Sequence, residues 1–136
     1  MCGRCAAAGA AIVGAMSSLT PILLLVASNV FMTIAWYGHL LFKGASLPVV
    51  ILLAWLIALP EYCLAVPANR FGHLSQGGVY TAPQLKIIQE GISITVFLVF
   101  TLWVLKEAPR WQDVAAFALI LSGLAWALWS RGAPAA

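Results

Sequence analysis

Two of the four acidic side chains in this 136-residue chain, Glu61 and Glu90, fall inside long apolar runs. A carboxylate in such a run can hold a cationic solute, carry a proton, or neutralise a nearby basic group. It is also costly there, by about 2.5–3.5 kcal/mol for a charged residue at the centre of a membrane helix. The amide of Asn29 lies in a third apolar run and could orient a ligand by hydrogen bonds. Trp36, Tyr37, Lys86 and Arg70 are secondary candidates, the aromatic pair as interfacial anchors or lining groups and the basic pair as counter-charges.

Spacing predicts that these groups converge. Glu61 lies five residues past the middle of its run, roughly 8 Å at helical rise, and Glu90 about five residues before the middle of the next. Those two runs are antiparallel and share a connection, so the carboxylates are expected at similar depth on one side, with Asn29 completing the cluster. Ala54, Ala58, Glu61 and Ala65 form one stripe; Lys86, Glu90 and Ser93 share a face that continues to Phe97 and Thr101; Asn29, Thr33 and Trp36 share another. One chamber open toward the segment 67–83 would satisfy them all. The competing reading is structural: Glu90 neutralised by Lys86 four residues earlier, and Glu61 paired with Arg70 or Lys86 near the headgroups.

Other chemistry is poorly represented. Cys2 and Cys5 make a C-x-x-C, but a zinc site needs a second ligand pair and a redox site a βαβ context, and the sequence has neither. Cys63 reads as a small buried hydrophobe. His39 and His73 fall near or outside the ends of the apolar runs, away from a proton relay. No nucleophile constellation, metal cluster or phosphate loop is present, so the expectation is a non-enzyme with no cofactor and no metal.

The elements that must position these groups follow from composition. Of all residues 63% are hydrophobic and 8% charged, against about 25% charged in an ordinary soluble domain. The apolar residues form four blocks near 21–42, 47–66, 84–105 and 112–129, each long enough to cross a hydrocarbon core of about 30 Å. The expected fold is an all-α membrane protein, a four-transmembrane-helix bundle occupying residues 21–130. Residues 1–20 are a leader or a helix extension, with Met16 an alternative start, and 131–136 a tail. Pro21 suits a first helical turn, Pro60 a kink, and Pro67 to Pro83 a loop. Ala116, Ser122, Gly123 and Ala127 give the fourth span a small-residue packing face, suited to another helix or its own copy.

Charge distribution says little about orientation. Arg4, Arg70, Lys86 and Arg131 fall on one side and Lys43, Lys106 and Arg110 on the other, four against three. Either other features orient the chain, or copies insert both ways and pair antiparallel. A homodimer of the second kind would supply the inverted repeat that one four-helix chain lacks. The seven basic residues are scattered singly, which excludes a nucleic-acid footprint; the bilayer itself is the expected partner.

Four segments carry a resemblance: SNVFMTIAWYGHL (Ser28 to Leu40), EYCLAVPANRFGH (Glu61 to His73), TAPQLKIIQEGISITVF (Thr81 to Phe97) and LKEAPRW (Leu105 to Trp111). Together they resemble a short, four-helix, largely uncharacterised bacterial branch of the drug/metabolite transporter (DMT) superfamily, over about Pro21 to Trp129. The stretch from Glu107 through Gly123 is similar to the last hairpin of small multidrug-resistance proteins. The resemblance implies a multi-pass bacterial inner-membrane bundle, dimeric and transporter-like. Small multidrug-resistance proteins carry their essential glutamate in the first helix, where this chain has only Asn29. Proton coupling here would fall to Glu61 or Glu90. The expected function is a small secondary transporter of a small polar or cationic metabolite. The alternative is a non-transporting membrane component that stabilises or regulates a partner.

Overall fold

The computed structural model describes the backbone of residues 3–132 and the side chains of residues 18–130. Cys2, and the side chains of Arg4, Cys5, Met16 and Arg131, lie outside the described residues. Four helices account for most of the chain: α1 (Gly3–Tyr37), α2 (Leu47–Gly72), α3 (Ala82–Phe100) and α4 (Trp111–Gly132). Short 3₁₀ turns, Gly38–Leu41 and Leu74–Gln76, follow α1 and α2, and a π-helical turn, Thr101–Leu105, extends α3. Among the described residues there is no strand, and one isolated bridge joins His73 to Tyr80.

Four segments are long and apolar enough to cross a membrane: Ser18–Leu41, Leu47–Gly72, Ala82–Leu105 and Trp111–Ser130. The shortest has 20 residues, or about 30 Å at helical rise. The all-α membrane bundle expected from composition is therefore the observed architecture.

Local chemistry sets the helix ends. Pro48 sits in the first turn of α2, where a missing N–H costs nothing. Thr81 and Gln84 form a capping box at α3: the Gln84 N–H donates to the Thr81 hydroxyl oxygen at 3.4 Å, and the Thr81 N–H donates to Gln84 Oε1 at 2.8 Å. The Arg110 N–H donates to the Asp113 carboxylate at 2.9 Å in the same way at α4. The π-helical turn closes on Lys106, whose φ of 57° is left-handed, and the Glu107 N–H reaches back to the Thr101 carbonyl at 3.1 Å.

The core is the antiparallel seam between α1 and α2. Pro21, Leu25 and Ser28 of α1 are fully buried; Glu61, Ala65, Ala68 and Gly72 face them from α2. These α2 residues recur at helical spacing and all but Glu61 are small, which lets the two backbones approach closely. At the end of the seam Gly72 meets α1 and α3 together: a Cβ there would stand 2.8 Å from Leu85 Cδ2 and 3.1 Å from Pro21 Cβ. The Tyr80 hydroxyl donates to the Ser18 carbonyl at 3.5 Å and ties the following connection to α1. Further out, α3 rests on α1 through Tyr37 and Phe97, ring centroids 4.7 Å apart, and α4 rests on α3 through Phe97 and Phe117 at 6.4 Å.

Three local expectations change. Pro21 lies inside α1 rather than in its first turn, because the helix begins at Gly3. Residues 67–72, expected in a loop, continue α2 through both Pro60 and Pro67. The buried stripe correspondingly runs from Glu61 toward Gly72, while Ala54 and Ala58 are only half-buried. Packing is the reason in the last two cases: Ala68 and Gly72 continue the face that contacts α1, and that burial outweighs the helix-breaking tendency of the Pro67–Gly72 composition.

Candidate functional site

The depth of the polar residues follows from the lengths of their helices. Extending α2 to Gly72 moves its midpoint, so Glu61 is fifteenth of 26 residues and within about 2 Å of the middle at helical rise. Ser28 and Asn29 are eleventh and twelfth of the 24 residues from Ser18 to Leu41. All three therefore lie near the middle of their helices, with the acid nearer its helix midpoint than the sequence spacing had placed it.

Their side chains are enclosed there. Relative exposures are 0% for Ser28, 3% for Asn29, 4% for Thr33 and 2% for Glu61. The Ser28 hydroxyl donates to Glu61 Oε1 at 3.0 Å, a direct link between α1 and α2. Glu61 Oε2 is buried and has no hydrogen-bond partner among the described residues. On α1 the polar groups otherwise bond within the helix: Asn29 Nδ2 donates to the Leu25 carbonyl and the Thr33 hydroxyl to the Asn29 carbonyl, both at 2.8 Å. Among the described residues Glu61 Oε2 is thus the buried side-chain polar atom left without a partner, and buried polar groups are seldom left so.

Glu90 is placed differently. It forms an i,i+4 ion pair with Lys86, with side chains 45% and 69% exposed, and it does not join the Glu61 cluster. Arg70 is exposed, so neither basic residue is a partner of Glu61. Trp36 is 65% exposed and its Nε1–H donates to Met32 Sδ at 2.9 Å. Tyr37 and Trp36 line a cavity of about 440 Å³ with Thr33, Ser93, Phe97 and Phe117. A second cavity, about 600 Å³, opens on the other flank of Thr33 and reaches Ala54 and Ile57, the latter one turn from Glu61. On α4, Ala116, Ser122 and Gly123 are exposed and Ala127 half-buried; a Cβ on Gly123 would meet nothing within 4 Å. His39 and Cys63 are exposed, and His73 Nδ1 lies 2.8 Å from the Ser75 hydroxyl.

Ser28 is the site residue that spacing along single helices does not reveal. A signal for it exists in the connection between the first two spans. Ser28 stands 16 residues before Gly44 and Glu61 16 residues after Ala45, so an antiparallel hairpin turning there brings the two together.

A buried carboxylate with one oxygen held and the other without a partner among the described residues, midway along two packed helices, can bind a proton or a cationic group at Oε2. A family model described as "Putative member of DMT superfamily (DUF486)" matches residues 21–128. Comparison with curated proteins and with solved structures finds no match.

Proposed function

This chain belongs to the DUF486 family of the drug/metabolite transporter superfamily, and on that premise we propose that it is a small secondary transporter of a bacterial inner membrane. Its cargo is a small polar or cationic metabolite, and Glu61 is the group that proton and cargo share. The observation that carries this reading is the free Oε2 of a glutamate only 2% exposed at the midpoint of α2. A charged carboxylate at that depth is expensive, and a purely structural one would have both oxygens occupied. A proton on Oε2 cancels the charge and leaves the Ser28 bond in place. A cationic cargo needs the same oxygen, so the two occupants exclude one another, which is the requirement for exchange.

The transporting unit in this reading is a homodimer, with antiparallel copies supplying the inverted repeat. Glu90, already paired with Lys86, is a secondary counter-charge, and Asn29 shapes α1 beside the site.

Purified protein titrated with a panel of small amines across pH tests the proposal. Wild-type binding should weaken as pH falls, and Glu61→Gln should lose that dependence. Binding by Glu61→Gln with an unchanged pH profile would remove Glu61 from the mechanism. A second reading, a non-transporting component that packs against another membrane protein, is favoured by the exposed small face of α4 around Gly123. It predicts no ligand binding by the chain alone, together with co-purification that Gly123→Leu disrupts.

A further inference from the structure

The cavity of about 600 Å³ among α1, α2 and α3 has a wall with almost no polar chemistry. Only Thr33 and His39 contribute polar side chains to it. The Thr33 hydroxyl already donates to the Asn29 carbonyl, and His39 is exposed at the outer end. Water needs two to four polar partners to occupy a cavity stably, and a polar metabolite needs more. The volume is nevertheless that of a ligand site, not of a packing defect.

Its position in depth identifies the occupant. The inner end is formed by Val30, Ile57 and Val96, close to the midpoints of their spans. The outer end is formed by His39, Phe42 and Val104. From Val96 to Val104 the cavity runs about 12 Å at helical rise, close to the roughly 15 Å hydrocarbon thickness of one leaflet. An apolar slot of one leaflet's length, lying along the helices, is complementary to a single hydrocarbon chain.

Charge at the outer end selects the headgroup. Lys43 follows Phe42 directly, and Lys106, in the left-handed conformation that ends the π-helical turn, follows Val104 by two residues. The two acids on this side, Glu107 and Asp113, line a different cavity beside α4. We propose that the 600 Å³ cavity is a lipid site that holds one acyl chain of an anionic phospholipid, with the phosphate at the level of His39, Lys43 and Lys106. The site is independent of the exchange assigned to Glu61, although Thr33 and Ile57 bring it within one helical turn of that carboxylate.

Native mass spectrometry of the purified chain in mixed micelles tests this, with phosphatidylglycerol and phosphatidylcholine supplied at equal concentration. One phosphatidylglycerol should be retained per chain, and phosphatidylcholine much less. Two surface lysines acting on one anionic headgroup correspond to a preference of roughly 30-fold, which the double substitution Lys43→Ala, Lys106→Ala should abolish. Ala54→Phe should fill the slot and expel the lipid. Ala45→Phe does the same from the connecting segment and serves if the first variant does not fold. Glu61→Gln should retain the lipid, which separates failure here from failure of the transport reading. Equal retention of both lipids, retention undiminished in the phenylalanine variants, or a second copy of the chain in place of lipid would each overturn the proposal.

Discussion

The α1–α2 half of the molecule encloses its acid, whereas the α3–α4 half displays its own. Glu61 is buried near the middle of α2 against Ser28, with one oxygen lacking a partner among the described residues, and Glu90 is half-exposed and neutralised within its own helix by Lys86. Both carboxylates lie in segments long and apolar enough to cross a membrane, and what separates their environments is packing. Small residues at Ala65, Ala68 and Gly72 bring α2 against α1 and close over Glu61. Between α3 and α4 the contacts are looser: the tilted Phe97–Phe117 rings have centroids 6.4 Å apart, and Leu124 lies beside Gly91. In the proposed function the enclosed acid is the one that exchanges occupants, whereas the acid that carries its own lysine is already satisfied.

The contrast can be broken most severely at binding. Glu61→Gln should eliminate pH-dependent ligand binding, while Glu90→Gln should leave the pH profile in place; equal effects, read by calorimetric titration, would erase the distinction. The next largest effect is on stability. A Cβ on Gly78 would fall 2.2 Å from the Gly72 carbonyl oxygen, so Gly78→Ala should cost about 3 kcal/mol in reversible unfolding from mixed micelles. Ser28→Ala removes the bond between α1 and α2 and should cost about 1 kcal/mol in the same assay, near the upper range for hydrogen bonds between membrane helices. Lys86→Ala should cost less than about 0.5 kcal/mol, because an exposed i,i+4 pair contributes little. Gly123→Ala, with open space around its Cβ position, should leave monomer stability unchanged while weakening any association through α4 that cross-linking detects.

Much of this was legible in the residues. Four apolar blocks of membrane length dictate four helices, since lipid leaves backbone groups no partners outside the chain. Trp, Lys and Pro near the block ends locate the turns. The pairing of Lys86 with Glu90 was also available, because i,i+4 spacing is a property of one helix. The extension of α2 to Gly72 was not, since Pro67, Asn69 and Gly72 read locally as loop residues and only contact with α1 makes them helical.

The sequence by itself thus determined the membrane class, the number of helices, the family and the acids worth testing, because each depends on composition or on spacing along a single segment. Tertiary structure alone decided which acid is enclosed, that Ser28 is its partner, and that Oε2 is left free. Those outcomes depend on the rotation and register of α1 against α2, set by side chains far apart in the chain that meet only in the folded bundle.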